Sequence, residues 1–202
     1  MNRLKFGRQA PRYAERVWID PDQCKRYIEA ADLSRRLGTG VRQLSGRVVE
    51  TWPSDLEKSL CKHPKLTYCL RHWQEGKSWD EAGGLEFMLE GITTSPTGYL
   101  DEMCTKEDIV TRFESLDSIW ADVKARGSLP PRNELKPGNF REIGGILVHI
   151  GPDGEPLFSG AGCHRFAMAL MLEKRFPAQL GIIHKSALAK LPLLRRAESR
   201  ES

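Results

Sequence analysis

The stretch Leu157–Leu172, LFSGAGCHRFAMALML, decides how the rest of the chain is read. An apolar strand enters a glycine-rich turn carrying a thiol, an imidazole and a guanidinium, and the turn opens into FAMALML, a helical run with almost no polar face. A helix that is apolar all round is a buried helix, so its N-terminus is held rigidly. That N-terminus leaves its first backbone N–H groups without intrahelical partners and carries about half a positive charge. Gly160 and Gly162 let the backbone approach a bound group closely, Arg165 offers a planar fork to oxyanions, and His164 adds a donor. Phosphate is the natural occupant. The same residues also suit a plain tight turn with Arg165 in solvent or paired with a carboxylate, and GAGCHR matches neither the G-x-x-x-x-G-K-S/T loop nor the G-x-G-x-x-G fingerprint.

Working outward, GGILVHIGPDGEPLF reads as two extended runs around the turn GPDGE, with Pro152 preset for the turn and Gly154 supplying positive φ. After the motif helix, PAQLGIIH is a short buried strand and SALAKLPLL a last helical or coil segment. Upstream, AERVWID has the spacing of a strand, and Asp20 with Pro21 predicts a helix running to about Leu37, before GTG. GRVVETWP reads as a second strand, and Ser54–Glu57 and Ser78–Glu81 are capping-box patterns that predict helices, the first divided by Pro64. The spacing of Ile109, Phe113, Leu116, Trp120 and Val123 predicts the strongest helix of the chain, ending near Gly127. The proline-rich link LPPRNELKPGNF then marks a boundary. The expected architecture is α+β: a mainly helical lobe over residues 1–130, a small mixed sheet with packed helices over 131–192, and a charged, disordered tail over 193–202.

The chain has 202 residues, 40% hydrophobic and 29% charged, enough for one good core. It contains no run of about eighteen uncharged apolar residues, and its N-terminus lacks the apolar centre of a signal peptide. The five cysteines are scattered without a C-x-x-C pair, which fits reduced thiols and predicts a cytoplasmic protein with no membrane partner. The net charge of +4 is mild, and part of the excess lies at the ends, in Arg3, Lys5, Arg8, Arg12 and RRAESRES. Nucleic-acid binders concentrate such excess on one face, so that partner is not expected.

The order of elements from Gly145 to His184 resembles the shared core of the ParB and sulfiredoxin superfamily: a hairpin with a D-G turn, a G-C-H-R element, a small-residue helix, and a strand beginning near P-A. It is similar also to bacterial ParB-like proteins that carry an extra helical N-terminal region. The resemblance implies a bound nucleotide, whether ATP, CTP or ADP, with Mg²⁺ accompanying it, and implies that Gly160, Gly162, Cys163, His164 and Arg165 hold the phosphates.

Three functional readings follow. The first is an ATP-dependent or other nucleotide-dependent phosphotransferase acting on a small molecule, with Glu142 as candidate base and Arg141 as charge clamp just before the hairpin; a surface ion pair is the alternative for these two. The second makes Cys163 a sulfiredoxin-like nucleophile, since a thiol at a helix N-terminus beside His164 and Arg165 is expected to have a lowered pKa. The third is a DNA-binding partition protein, disfavoured because no recognition helix or basic stripe is visible. His149 and His184 share the core with His164, but no acid or cysteine lies at a metal-typical spacing, so they read as structural and no metal site is predicted. Trp73 and Trp79 read as apolar anchors between helices, the alternative being the mouth of a pocket between lobes, and Arg112 and Asp117 as the polar face of the amphipathic helix, the alternative being that they reach the cleft.

Overall fold

The computed structural model describes residues 2–95 and 103–197, with side chains from Leu4 onward, so residues 198–202 of the charged tail and the Arg3 side chain lie outside the described residues. The fold is α+β, built on one seven-stranded sheet. Along the sheet the order is β1 (Arg16–Ile19), β7 (Phe176–His184), β5 (Ile146–Ile150), β6 (Pro156–Phe158), β2 (Arg26–Ile28) and β4 (Glu57–Ser59), with β3 (Val48–Val49) also paired to β7. β5 and β6 form the expected antiparallel hairpin, with Gly154 at φ 77° in its turn. β5 pairs parallel with β7, and β6 parallel with β2. The helices are α1 (Asn2–Phe6), α2 (Ala30–Leu37), α3 (Pro64–Trp73), α4 (Gly84–Thr94), α5 (Lys106–Arg126), α6 (Arg132–Leu135), α7 (Cys163–Leu172) and α8 (Leu191–Leu194).

Strands β1 to β4 all come from residues 16–59, yet they lie in the same sheet as β5, β6 and β7, and β1 runs antiparallel to β7 from Arg16 opposite Gln179 to Ile19 opposite Phe176. The expected division near residue 130 is therefore not a division of the sheet. The front of the chain supplies strands as well as helices because Val17 and Ile19 bury by pairing β1 with β7, and Tyr27 and Ile28 by pairing β2 with β6.

Two local signals are overridden by this pairing. Asp20 does accept a hydrogen bond from the backbone of Asp22, at 3.2 Å, but the result is a single 3₁₀ turn over Pro21–Gln23, after which the chain enters β2. The helix begins only at Ala30 and ends, as expected, at Gly38 with φ 69°. The Ser54–Glu57 box does not form, because the Glu57 carboxylate accepts from Trp52 Nε1 at 2.6 Å and pairs with Arg26. Glu57 thereby becomes the first residue of β4, and the following helix starts at Pro64 rather than being divided by it. The Ser78–Glu81 box does close, with Glu81 N donating to Ser78 Oγ at 3.2 Å and Ser78 N to Glu81 Oε2 at 2.9 Å, but α4 opens three residues later at Gly84.

Helix α5 follows its apolar rhythm and carries both caps: Thr105 and Asp108 form a capping box, and Gly127 closes the helix at φ 67°. Trp73 and Trp79 donate their indole N–H groups to Asp117 at 2.8 and 3.0 Å, and His72 Nε2 lies 3.0 Å from the same carboxylate. Asp117 thus ties α3 to α5 through polar contacts as well as apolar ones. In the linker, Arg132–Leu135 forms the short α6. Within the expected tail, Leu193 and Leu194 belong to α8, and Arg195 Nε donates to Glu15 Oε1 at 2.7 Å.

Helix α7 is the buried element its composition demands. Phe166, Ala167, Met168 and Ala169 have no exposed surface, and the Phe166 ring stacks on Phe158 of β6 at 4.3 Å. No helix among the described residues is long and apolar enough to cross a membrane.

Candidate functional site

The turn between β6 and α7 is bound to the first residues of β5. Ser159 N donates to Leu147 O and Leu147 N to Ala161 O, both at 3.1 Å. Gly162 caps the helix at φ 88°, and a side chain there would meet Ile146 Cα at 3.0 Å, so both the backbone conformation and the space require glycine. Gly160 also has positive φ, 73°. These constraints fix the N-terminus of α7 at the wall of a cavity of about 680 Å³.

Five cationic residues line that cavity: Arg42 from the loop after α2, Lys65 from the start of α3, Arg112 from α5, Arg132 from α6 and Arg165 from α7. Leu116, Ile119 and Val123 of α5 and Leu129 and Leu135 around α6 form an apolar wall. The site therefore combines a helix N-terminus and guanidinium groups with a surface for an apolar body. Three guanidinium nitrogens, Arg132 Nε, Arg165 Nε and Arg165 Nη1, are fully buried and have no partner among the described residues. A buried N–H without an acceptor costs about 1–3 kcal/mol, more when charged, so such atoms mark where an acceptor belongs. Arg165 Nη2 donates to Pro130 O at 2.6 Å, which turns the side chain along the cavity wall. Burial, and then the neighbouring Arg132 charge, push Arg165 down to about 10, against the opposing pull of Glu142. Burial and Arg132 lower Arg42 in the same way. An anion arriving here relieves repulsion among guanidinium groups as well as filling their hydrogen bonds.

Of the residues expected from the sequence, Gly160, Gly162, Cys163, His164 and Arg165 all line this cavity. His164 is half-buried, and desolvation followed by the charges of Arg112 and Lys65 pushes it down to about 3, so its ring is neutral. Its Nε2 sits 3.3 Å from the Tyr68 hydroxyl, in an aromatic cluster that includes Trp79 and Phe113.

Cys163 is on the wall but is not the activated thiol expected. Its Sγ donates to Gly160 O at 3.0 Å, and burial pushes its pKa up to about 11, a larger effect than the lowering by Lys65. Desolvation outweighs the helix N-terminus here. Iodoacetamide near neutral pH should therefore label the exposed Cys61 and Cys104 and leave Cys163 unmodified in the folded protein, read by peptide mass mapping. Labelling of Cys163 as fast as that of Cys61 would restore the thiol reading.

Glu142 and Arg141 are corrected more strongly. Glu142 has no exposed surface; its Oε2 accepts from Arg16 Nε at 2.8 Å and its Oε1 from the backbone N–H of Arg132 at 2.9 Å. It stands behind the cavity wall as a structural acceptor, not in the cavity as a base. Arg141 adopts φ 53° and turns away, donating to Tyr13 O at 2.5 Å with its guanidinium 4.7 Å from the Phe140 ring.

The residues that sequence reading missed are Arg42, Lys65 and Arg132, while Arg112, named from the sequence as polar face or cleft, lines the cavity. For Lys65 a signal existed: it is the second residue of α3, a helix whose first turn contains no acid, so a cation sits against the dipole. Arg165 stands in the same unfavourable place, the third residue of α7. Rules broken at two helix starts facing one cavity are a mark of function.

His149 and His184 do not join His164. His149 Nδ1 accepts from Ile182 N at 3.1 Å, while His184 lies 2.7 Å from Ser186 Oγ and 3.0 Å from Glu50 O. Burial pushes His63 down from 6.5 to about 4, and His149 and His164 to about 3. A folded value below the unfolded one stabilises fully above pH 6.5, and that stabilisation is lost as pH falls from 6.5 toward 3 to 4. The unfolding free energy from urea melts should be flat from pH 8 to 7 and decline below 6.5, by up to about 1.4 kcal/mol per pH unit for each ring, with the midpoint falling in step. A midpoint unchanged down to pH 5 would show the rings to be accessible to protons.

Among the described residues no aspartate or glutamate lines the cavity, and no group of three His, Cys, Asp or Glu is placed to hold a metal. The donor set fits phosphate oxygens, and a Mg²⁺ arriving with a nucleotide would be carried by those oxygens rather than by these side chains. Comparison with known protein families, curated proteins and solved structures finds no match for this chain.

Proposed function

We propose that this chain binds a nucleotide, its phosphates at the N-terminus of α7 and its base against the α5–α6 wall, and uses it to phosphorylate a small molecule. The observation that carries this reading is the pair of buried, unpartnered guanidinium nitrogens of Arg165, Nε and Nη1, at the N-terminus of α7. The resemblance of Gly145–His184 to the ParB and sulfiredoxin superfamily supports the same ligand class. Phosphoryl transfer is mostly positioning and charge neutralisation, which a rigid helix N-terminus and a cationic wall supply. With Glu142 engaged behind the wall and the Cys163 thiol pushed up to about 11, His164 is the neutral imidazole on the cavity surface. Bound phosphates offset the charges of Arg112 and Lys65 that hold it down, which raises its capacity to take a proton from an acceptor hydroxyl.

The test is calorimetric titration with ATP, ADP, CTP, GTP and pyrophosphate, each with and without Mg²⁺, alongside thermal melting. At a hundred times its Kd a ligand of the folded state adds about 2.7 kcal/mol of stability, which melting resolves easily. If no nucleotide or pyrophosphate binds at millimolar concentration, the reading is wrong.

A further inference from the structure

We propose that Arg42 and Arg132 form a second anion subsite in the same cavity, which takes the carboxylate of a small acidic molecule bound beside the nucleotide. The proposal rests on the reading of the cavity as a nucleotide site.

The two side chains reach the cavity from segments far apart in sequence, and one buried amide holds their surroundings together. Gln179 of β7 is 1% exposed, and its Oε1 accepts from Arg42 Nη1 at 3.0 Å and from the backbone N–H of Gly144 at 3.1 Å. Arg42 Nη1 also donates to Gly145 O at 3.2 Å, which fixes the plane of its guanidinium. The Arg132 guanidinium lies over Gly144, whose φ of 78° and missing side chain leave it room: a Cβ there would be 3.5 Å from Nη2 and 3.6 Å from Nε. Both guanidinium groups therefore meet at the Gly144 end of the cavity.

Charge balance points to a ligand. The nearest buried carboxylate, Glu142, accepts from the Arg132 backbone and from Arg16, and neither of its bonds goes to the Arg132 guanidinium. The acceptor placed against Arg42 is a neutral glutamine, which orients the cation without cancelling it. The proximity of the two charges is felt by Arg42, which Arg132 depresses. Arg132 Nε remains buried without a partner. Two planar forks with an unfilled N–H match the two oxygens of a carboxylate. The other cations, Lys65 and Arg112, are those that His164 senses, so they lie on the side of α7 that faces α3 and α5. Positive charge is thus grouped on two sides of the helix N-terminus. A ligand pair, one polyphosphate and one carboxylate, uses both groups.

Malonate is the probe, titrated by calorimetry into protein saturated with the tightest nucleotide of the panel above. Malonate should bind the loaded protein, and Arg132→Met should weaken it at least tenfold while changing nucleotide affinity less than threefold. Arg42→Lys should weaken malonate in the same direction, which guards against a folding defect in one variant. The proposal is overturned if malonate and nucleotide compete, since the arginines then serve the phosphates, or if Arg132→Met weakens the nucleotide tenfold or more. If no nucleotide binds, malonate binding to the ligand-free protein that depends on Arg42 and Arg132 still supports the subsite. Absence of malonate binding in both forms overturns it.

Discussion

Replacing Arg165 with methionine should weaken nucleotide binding by about 1.5 to 3 kcal/mol, roughly tenfold to 150-fold, while the ligand-free protein keeps its stability to within about 1 kcal/mol. The two effects separate because the side chain serves ligand and fold differently. To the fold it gives one hydrogen bond, from Nη2 to Pro130 O, and it costs repulsion with Arg132 and desolvation strong enough to push it down to about 10. Losing the bond and losing the repulsion act in opposite directions. To a polyphosphate it offers Nε and Nη1, both buried and unpartnered, at the head of a helix whose field already favours negative charge. Arg165→Lys should recover only a minor part of the affinity, because an ammonium restores charge but not the fork. Calorimetry and urea melts on the same samples check both halves. A variant that loses several kcal/mol of stability and keeps its affinity would make Arg165 a structural residue.

The parts of this molecule legible in sequence are those governed by local chemistry. The α5 rhythm with its caps, the hairpin around Gly154, and the turn at Gly160–Gly162 before an apolar helix all appear where their residues place them. β2 and β4 were not legible, because Arg26–Ile28 and Glu57–Ser59 have no distinctive pattern of their own and become strands only by pairing with each other and with β6. The cavity was legible at one end only. The α7 cradle is contiguous, whereas Arg42, Lys65, Arg112 and Arg132 come from four separate segments brought together by folding. Cys163 shows a competition between two known effects whose winner depends on burial. The helix N-terminus lowers a thiol pKa and desolvation raises it, and at 8% exposure desolvation prevails.

Glu142 carries the largest expected effect on stability and provides the sharpest contrast with its expected role. Glu142→Ala should cost about 3–5 kcal/mol, the range for removing one partner of a buried pair, and should lower Tm by roughly 2–4 °C per kcal/mol for a chain of this size. The carboxylate has no exposed surface and spends both oxygens on the fold: one on Arg16 of β1, the other on the backbone N–H that opens α6. Its own backbone N–H donates to Ala14 O, and Gly145 packs so close that a Cβ there would meet its Cγ at 2.9 Å. Truncation would leave Arg16 without its carboxylate, with Asn133 still accepting from it, would leave the Arg132 amide without an acceptor, and would remove the negative charge that offsets Arg165. Glu142→Gln keeps one carbonyl acceptor and the volume, so it should lose less, about 1–3 kcal/mol. A general base gives the opposite pattern: the glutamine variant would fold with full stability and lose turnover by orders of magnitude. Thermal melts of the alanine and glutamine variants, compared with their rates of nucleotide turnover, decide between the two roles. A Glu142→Ala protein as stable as the original would mean that the pairs with Arg16 and Arg132 contribute nothing and that this carboxylate should again be considered for the chemistry.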